Sequence, residues 1–321
     1  MKDLWEQPLL RENYADIRDV IDSVVDNSSS IIRDSLREVV SRRGKMIRPM
    51  LFVIASKFGK EQEGEKISSL AAAVELLHLA TLIHDDVIDD SPCRRGVAAL
   101  HSKIGRKNAV LAGDYLFTQC FTLAARYAST ENARILAKAV SRICSSEISQ
   151  AEKAFEFHTS IRQYLRRITG KTAALFSLSC FIGAAEGGSS REVAGILSRV
   201  GYNLGIAFQI TDDILDYRGK REEIGKPVGT DIKEGIVTLP LIYALQNDRG
   251  MRKKMLRQPP FSSRRLHHII TRVAACGGVT RAEQEAERYT RRAMHEINRL
   301  PPSPPLPFLT GTVERLLYRT N

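Results

Sequence analysis

Helical periodicity runs through most of this chain and limits its fold more than any other feature. Apolar residues recur three and four positions apart in segments such as Ile67–Asp90, Asn108–Ala128, Ala133–Thr159, Ile161–Ala185, Arg191–Tyr217, Thr238–Gln246 and Arg281–Arg299. No run of alternating β-branched residues with hairpin turns indicates a sheet. The pattern predicts an all-α fold, a single-domain helical bundle over residues 1–321 with its site in the core.

Composition and cysteine usage favour a cytoplasmic location. Apolar residues make up 43% of the 321 residues, which supports a substantial core. Charged residues interrupt every apolar stretch, and the N-terminus lacks the apolar region of a signal peptide, so no membrane span is expected. The five cysteines form no Cys-x-x-Cys pair and are expected to be reduced thiols. Three of them are expected to be buried: Cys120, Cys144 and Cys180.

The formal net charge of +11 indicates an anionic partner. Small anionic substrates, an anionic membrane surface and nucleic acid are the three candidates. No zinc-finger spacing or RNA-binding signature accompanies the charge, so nucleic acid is not expected to bind. The basic segment Arg249–Arg265 is interpreted as a solvated loop.

Two short acidic runs lie inside predicted helices: Asp85-Asp86-Val87-Ile88-Asp89 and Asp212-Asp213-Ile214-Leu215-Asp216. In each run the first and last aspartate lie one above the other on a helix face, and the second is turned about 100° away. Carboxylates this close in apolar sequence repel one another unless a cation neutralises them. Oxygen ligands alone favour Mg²⁺, which commonly joins a few carboxylates to substrate phosphates. The runs predict a polyphosphate clamped by Mg²⁺ between facing helices.

Polar residues extend both acidic runs along their helices. His78 precedes Asp85 by seven residues, and Gln209 precedes Asp212 by three. A buried polar stripe without a ligand would cost free energy, so a binding role is favoured for both. The remaining histidines near the first run are expected to be structural: His84 and His101.

Four short basic sequences are suited to bind phosphates: Gly44-Lys45-Met46-Ile47-Arg48-Pro49, Arg94-Arg95-Gly96, Gly170-Lys171-Thr172 and Gly225-Lys226-Pro227-Val228-Gly229-Thr230-Asp231. None is a P-loop, which requires Gly-x-x-x-x-Gly-Lys-Ser/Thr after a strand. Each alone is typical of a surface turn. Together they predict several bound phosphates and a site that closes over them.

In this order and spacing, the motifs between about Gly44 and Leu241 resemble those of the trans-isoprenyl diphosphate synthases, or polyprenyl synthetases. The resemblance implies a homodimeric, all-helical protein around a deep central cavity. It implies that isopentenyl diphosphate condenses with an allylic diphosphate, farnesyl or geranylgeranyl diphosphate. It also implies Mg²⁺ as the cofactor, with three ions at each site once substrate is bound.

The resemblance also implies a role for each matching residue. The two aspartate motifs would hold Mg²⁺ against the allylic diphosphate: Asp85, Asp86, Asp89, Asp212, Asp213 and Asp216, the last indirectly, behind the direct ligands or through water. Arg94, Lys171 and Lys226 would bind that diphosphate, with Thr172 and Gln209 near the reacting carbons. The isopentenyl diphosphate site would comprise Lys45, Arg48, His78 and Arg95.

Product length in this family depends on where the growing tail meets a large side chain. Members with short products often carry a bulky residue at the positions of Ala80 and Thr81, and neither residue is aromatic. We therefore expect a product on the order of six to ten isoprene units, with Leu77 as an alternative lower floor. One family lysine is absent, because Ile236-Val237-Thr238 stands where many members have Lys-x-Thr. Longer-chain members often lack it, so activity is still expected.

Several alternatives remain open from the sequence. A short-chain synthase, or the catalytic half of a two-component synthase, would carry the same motifs. A terpene cyclase would mix Asn, Ser/Thr and Glu in its second metal motif, and a regulatory subunit would have lost acidic motifs. His84-Asp85 is also the start of an HD-type phosphohydrolase motif, but that enzyme would leave the second acidic run unused. A very apolar product would favour transient membrane contact.

Overall fold

The computed structural model describes residues 2–41, 44–61, 63–94, 97–152, 157–218, 228–248, 250–251 and 262–317. The helices in its first half are α1 (Lys2–Trp5), α2 (Pro8–Asp26), α3 (Ser30–Ser41), α4 (Ile47–Ser56), α5 (Gly64–Ile88), α6 (Leu100–Tyr127) and α7 (Thr130–Glu152). Those that follow are α8 (Ile161–Ile168), α9 (Ala174–Glu186), α10 (Arg191–Arg218), α11 (Thr230–Lys233), α12 (Leu239–Asn247), α13 (Ser263–Ala275), α14 (Gly278–Ile297) and α15 (Leu306–Leu317). The all-α prediction is confirmed.

A two-residue antiparallel hairpin interrupts the helices after the first acidic run. It pairs β1 (Cys93–Arg94) with β2 (Val97–Ala98). No alternating pattern predicted this hairpin, because two residues per strand are too few to show one.

The chain divides into two compact units. The first comprises Met1–Lys138, Phe176–Gly201 and Glu296–Arg315, and the second comprises Ala139–Leu175, Tyr202–His295 and Leu316–Asn321. In the first unit α5 packs against α2, α4 and α6. Most of α5 is buried from Ile67 to Ile83, as expected for a helix that is apolar on all sides. The expectation of a single domain stays a prediction.

Glycines allow helices of the first unit to approach closely. A Cβ atom on Gly183 of α9 would lie 2.2 Å from the carbonyl oxygen of Phe52 in α4. Just beyond α9, a Cβ atom on Gly187 would lie 2.3 Å from the carbonyl oxygen of Ser56. Any larger residue would separate α4 from α9, so these positions fix the packing of α4, which carries Arg48 in its first turn and follows Lys45.

The predicted helix Ile161–Ala185 is interrupted in the structure. α8 begins with a capping box, in which the Ser160 hydroxyl accepts from the Gln163 amide and the Gln163 side chain accepts from the Ser160 amide. After Ile168 the backbone adopts one π-helical turn, Thr169–Ala173, before α9 starts. Such turns are frequent at functional sites, and this one contains Lys171 and Thr172.

Two other expectations require correction. α7 ends at Glu152 in the described chain and Phe157 lies in a turn, so the helix does not extend to Thr159. Cys144 is exposed on α7, whereas Cys120 and Cys180 are buried as expected. Burial raises the pKa of both buried thiols to about 12.

The sequence led us to expect no membrane span, and that expectation stays a prediction. Two stretches, Gly64–Ile88 and Ile161–Glu186, are long and apolar enough to cross a membrane by length and composition alone. However, 78% and 67% of their most apolar windows are buried inside the protein. Core helices of folded proteins pass the same test.

Candidate active site

The first predicted phosphate-binding sequence lies in the first unit, where α4 begins. Met46, directly before α4, has a φ of 45°, a left-handed conformation that is uncommon for a residue other than glycine. The indole Nε1 of buried Trp5 donates to the carbonyl oxygen of Lys45 at 3.3 Å. One turn later, the Arg48 guanidinium lies 4.9 Å from the centroid of the Phe176 ring. α1 and α9 thus support the two predicted isopentenyl diphosphate ligands.

α5 carries the next predicted residues in the same unit. Ala80 is fully buried, whereas His78 and Thr81 are partly exposed. The Thr81 hydroxyl donates to the carbonyl oxygen of His78 at 2.7 Å, which fixes the rotamer of Thr81. The two positions that the sequence predicted to set chain length therefore carry small side chains, and that role stays a prediction.

The first acidic run lies at the C-terminal end of α5. Asp86 is 6% exposed, Asp85 is partly exposed, and Asp89 is the exposed residue that ends the helix. Asp90 then adopts a φ of 49°, and its carboxylate lies 2.6 Å from Nη2 of Arg106. The C-terminus of a helix is its negative end, so three carboxylates there are unfavourable without a cation.

His84 stabilises the packing of this end of α5 on α6, as the sequence predicted. Its Nε2 atom lies 3.1 Å from the carbonyl oxygen of Val110 and 3.4 Å from Oδ1 of Asp114. Its ring stacks on Phe117 with centroids 5.5 Å apart. A Cβ atom on Gly113 would lie 2.2 Å from the His84 ring, so glycine is required there. His84 therefore orients the helix that presents Asp85.

The π-helical turn of the second unit positions Lys171 and Thr172. Gly170 lies against α7, where a Cβ atom would come within 2.4 Å of Ser146. The Lys171 ammonium lies 3.3 Å from Oε2 of Glu147. The buried Thr172 hydroxyl donates to the Gln209 side chain at 2.6 Å. The structure therefore brings together Thr172 and Gln209, which the sequence predicted to act near the same carbons.

The three aspartates of the second acidic run have different environments. Asp212 is exposed, whereas Asp213 and Asp216 are 6% and 8% exposed. Asp216 accepts backbone hydrogen bonds from Gly229, Thr230 and Asp231 at 3.1 to 3.3 Å. These bonds attach the start of α11 to α10, which agrees with a supporting role for Asp216.

Asp213 is held by side chains. Its Oδ2 atom accepts from the Tyr164 hydroxyl at 2.7 Å, and its Oδ1 atom accepts from Nε2 of Gln209 at 2.9 Å. Burial, together with the negative charge of Asp231, raises the pKa of Asp213 and of Asp216, although their hydrogen bonds oppose the rise. Both buried carboxylates therefore gain from a nearby cation.

The other predicted phosphate ligands are only partly described. Arg94 lies in β1, four residues after Asp90. Arg95 and Lys226 lie outside the described residues, as does most of the basic segment Arg249–Arg265. His101 lies in α6, where it is 9% exposed and its Nε2 atom is 3.8 Å from the Asp90 carboxylate.

The donor chemistry of both acidic runs fits Mg²⁺. All the predicted ligands are carboxylate oxygens, which a hard cation prefers. In the described part of the chain, no three His, Cys, Asp or Glu side chains are grouped closely enough to hold a metal ion by themselves. Mg²⁺ commonly completes its coordination with substrate phosphates and water, so the carboxylates suit an ion that arrives with a diphosphate.

A cleft of about 1440 Å³ opens in the first unit beside the sequence Gly44-Lys45-Met46. Trp5, Tyr14 and Arg18 line it. The Trp5 and Tyr14 rings lie 4.9 Å apart, and the Arg18 guanidinium is 5.8 Å from the Tyr14 ring. The cleft lies among the N-terminal helices and includes neither acidic run.

Comparison with known proteins identifies the family. The polyprenyl synthetase family model matches residues 29–272. The chain belongs to the polyprenyl synthetase family. It is therefore a prenyltransferase, as the motifs predicted.

Individual relatives agree with this family assignment. The chain is 36% identical over 245 residues to heptaprenyl diphosphate synthase component 2 of Geobacillus stearothermophilus, covering 76% of each chain. It is 33% identical over 266 residues to nonaprenyl diphosphate synthase of Mycobacterium tuberculosis, covering 82% of this chain and 79% of that protein. The crystal structure of heptaprenyl diphosphate synthase from Staphylococcus aureus superposes with a TM-score of 0.93 at 27% identity, covering 98% of this chain and 99% of the other.

Two residues of this polyprenyl synthetase were missed by sequence reasoning. Tyr164 precedes Lys171 by seven residues on an amphipathic helix, where it looks like an ordinary core residue. Trp5 is the single tryptophan and lies 40 residues from the carbonyl group that it binds. No spacing rule connects residues this far apart, so only the structure reveals either contact.

Proposed function

We propose that this prenyltransferase is a trans-polyprenyl diphosphate synthase that makes a medium or long product. Its reaction is the Mg²⁺-dependent, head-to-tail condensation of isopentenyl diphosphate with an allylic diphosphate, farnesyl or geranylgeranyl diphosphate. One observation carries the proposal: α5 presents the acidic run Asp85–Asp89 one turn beyond the small side chains of Ala80 and Thr81. The similarity to heptaprenyl and nonaprenyl diphosphate synthases supports it.

Each set of residues has a proposed role in binding. The aspartates of both runs bind Mg²⁺, which supplies charge neutralisation of the departing diphosphate. Arg94, Lys171 and Lys226 bind the allylic diphosphate and stabilise the negative charge that develops as it leaves. Lys45, Arg48, His78 and Arg95 bind isopentenyl diphosphate. Fixing two anions in one orientation makes positioning a large part of the catalysis.

The chemical steps follow from this charge distribution. The allylic carbon–oxygen bond breaks, and the diphosphate leaves with its electron pair. The double bond of isopentenyl diphosphate then forms a bond to C1 of the allylic cation, and the released pyrophosphate accepts the proton that is lost. The Thr172 hydroxyl donates to Gln209, which in turn donates to Asp213, so both polar side chains are held in fixed orientations close to the proposed reaction.

Product length gives a direct test of the role of α5. Thr81 is partly exposed, whereas Ala80 is fully buried, so phenylalanine fits more easily at Thr81. We expect Thr81→Phe to shorten the product by several isoprene units, and Thr81→Ser to leave its length unchanged. Chromatography of the dephosphorylated products measures this. An unchanged product in a folded, active Thr81→Phe protein would contradict the role of this position.

The overall reaction is tested with the purified chain, Mg²⁺, labelled isopentenyl diphosphate and farnesyl diphosphate. A product ladder that ends at about thirty carbons or more agrees with the proposal. Products that end at about fifteen to twenty carbons would indicate a short-chain synthase. Structural similarity is the reason to test that alternative. The crystal structure of geranylgeranyl pyrophosphate synthase from Lactobacillus brevis superposes with a TM-score of 0.93 at 33% identity, covering 99% of this chain and 100% of the other.

A second alternative concerns the need for a partner chain. Two relatives of the chain, from Geobacillus stearothermophilus and Bacillus subtilis, are component 2 of a heptaprenyl diphosphate synthase. If the purified chain incorporates no isopentenyl diphosphate with any allylic primer, the catalytic half of a heteromer becomes the better proposal. Product formation by the chain alone supports a self-sufficient enzyme.

We further propose a cytoplasmic homodimer that contacts membranes transiently to release its apolar product. Val110, Leu111 and Phe121 on α6 are 39%, 51% and 40% exposed. Val110 and Phe121 are three helical turns apart on the same face, with Leu111 beside Val110. This surface combines exposed apolar side chains with exposed Asp114 and is proposed to contact a second copy of the chain.

A further inference from the structure

Tyr164 is the largest fully buried side chain of the described structure, and its polar atom binds a proposed metal ligand. It lies on α8, which begins with the Ser160 capping box. Its hydroxyl donates to Oδ2 of Asp213 at 2.7 Å. A buried phenol requires an acceptor, but a backbone carbonyl group would satisfy it at lower cost than a buried carboxylate. Packing alone therefore does not explain why the Tyr164 hydroxyl donates to the Asp213 carboxylate.

The other oxygen of Asp213 is also fixed by a side chain. Its Oδ1 atom accepts from Gln209, and Gln209 accepts in turn from Thr172. The rotamer of Asp213 is thus held from two directions, by α8 on one side and by the π-helical turn through Gln209 on the other. Each carboxylate oxygen has two lone pairs, so both can bind a further ligand while these bonds persist.

The aromatic ring of Tyr164 is itself fixed by a cation. The Arg167 guanidinium lies 5.4 Å from the ring centroid, and its Nη2 atom donates to the carbonyl oxygen of Val237 at 2.7 Å. One turn of α8 thus provides both the donor to Asp213 and the group that restrains that donor. This arrangement limits the freedom of the hydroxyl as well as that of the carboxylate.

We propose that Tyr164 is a positioning residue that holds Asp213 in the orientation required to bind Mg²⁺ together with a diphosphate. The proposal rests on the proposed function, because it takes the second acidic run as a Mg²⁺ site. Hydrogen-bond donors to metal-binding side chains orient those side chains, and their loss typically costs about 10- to 100-fold in metal affinity. Asp216 needs no such side chain, since backbone amides of residues 229–231 hold it.

The test compares Tyr164→Phe with Tyr217→Phe. Tyr217 is also buried, at 6% exposure, and lies on the same helix as the second acidic run. Its hydroxyl lies 2.9 Å from the Thr238 hydroxyl, so this variant removes a buried phenol whose hydrogen bond within the described residues is to another hydroxyl group. Isothermal titration with Mg²⁺ in the presence of inorganic pyrophosphate measures binding without turnover. The Mg²⁺ concentration for half-maximal activity is measured in parallel.

We expect Tyr164→Phe to weaken Mg²⁺ binding about tenfold or more and to raise the Mg²⁺ requirement of the reaction similarly. Activity at saturating Mg²⁺ should recover most of the wild-type rate. Tyr217→Phe should change the Mg²⁺ affinity less than about twofold. A purely structural role of Tyr164 would lower the melting temperature and leave the Mg²⁺ affinity unchanged, and that result overturns the proposal.

A double-variant cycle tests whether Tyr164 acts through Asp213. If it does, Tyr164→Phe weakens Mg²⁺ binding much less in an Asp213→Asn background than in the wild type. Equal effects in both backgrounds would overturn the proposal. A failure of the proposed function is distinguishable, since wild-type protein would then incorporate no isopentenyl diphosphate with any allylic primer.

Discussion

The aspartates of the second acidic run differ in exposure, and we expect this difference to separate their roles. Asp212 is exposed, whereas Asp216 is buried and accepts three backbone hydrogen bonds. Asp212→Asn should lower kcat/KM by about 100-fold or more, with no change in melting temperature. Asp216→Asn should lower both kcat/KM and the melting temperature, because the NH2 group of the asparagine would face one of the backbone N–H donors. Initial rates and thermal melts of both variants measure this.

An equal loss of stability in both variants would contradict this assignment. The spacing of the three aspartates predicted the same Mg²⁺-binding role for all of them, because the i, i+1, i+4 pattern fixes only their directions on a helix. The pattern could not show that Asp216 faces the amides of residues 229–231, since those contacts depend on the path of the chain after α10.

At the scale of elements, a buried ionic network connects three helices of the first unit. Oε1 of Glu186 on α9 accepts from the Ser129 amide and the Asn132 side chain, at 2.8 and 2.6 Å, at the start of α7. Its Oε2 atom lies 2.9 Å from the ammonium of Lys66 on α5. Burial raises the pKa of Glu186, but these hydrogen bonds outweigh it and bring the pKa below its ordinary value.

We expect this network to make folding stability depend on pH. The folded pKa of Glu186 is lower than the unfolded value of about 4.3, so its contribution is complete above that pH and is lost as pH falls through the folded pKa. Glu186→Gln should lower the free energy of unfolding at pH 7 by about 2 kcal/mol and reduce the loss of stability below about pH 4.3. Urea denaturation between about pH 3 and 7 measures both effects.

Glu65→Gln is the matched control for this network. Glu65 lies on α5 beside Lys66 and accepts from the Tyr127 hydroxyl at 2.6 Å, but it is exposed. We expect its substitution to change the free energy of unfolding by less than about 0.5 kcal/mol. If both variants showed the same pH dependence as the wild type, the Glu186 network would not be the cause.

The short helix α1 supports the sequence that carries Lys45. Trp5→Phe removes the indole donor to the Lys45 carbonyl group and retains an aromatic ring beside Tyr14. We expect the KM for isopentenyl diphosphate to rise about threefold, since a neutral hydrogen bond contributes about 0.5–1.5 kcal/mol. The value of kcat and the KM for the allylic substrate should not change. Steady-state kinetics with each substrate varied in turn measures this.

Tyr14→Phe should leave kcat and both KM values unchanged, because it retains the ring that contacts Trp5. A fall in kcat without a change in KM would show that Trp5 does not act through Lys45. This contact also shows why the sequence predicted elements better than their connections. The apolar period predicted helical segments from Ile67 onward, but it gave no information on a contact between Trp5 and a loop 40 residues away.

At the scale of the whole molecule, the helical pattern and the ordered motifs were sufficient to predict the fold class and the family. The π-helical turn was not predicted, because the apolar period continues through Thr169–Ala173. Its position follows from close packing of Gly170 against Ser146 of α7, a contact 24 residues away in sequence. Packing between residues this far apart in sequence cannot be predicted from the local apolar pattern.

The exposed surface of α6 allows a test of the proposed homodimer. Leu111 and Phe121 are 51% and 40% exposed, and charges there would have to be desolvated in an apolar interface. We expect Leu111→Lys combined with Phe121→Glu to weaken self-association at least about 30-fold, or 2 kcal/mol. Light scattering after gel filtration measures the mass of the particle over a range of protein concentrations.

Ile31→Lys is the control for this substitution, since Ile31 is also an exposed apolar residue, at 66%, but lies on α3 and not on α6. It should leave the oligomeric state unchanged. The same α6 backbone holds His84, through the Val110 carbonyl group, next to Asp85. Loss of the dimer should therefore also raise the Mg²⁺ concentration needed for activity. A monomeric wild-type protein, or a double variant that still forms dimers, would contradict the assignment of this surface.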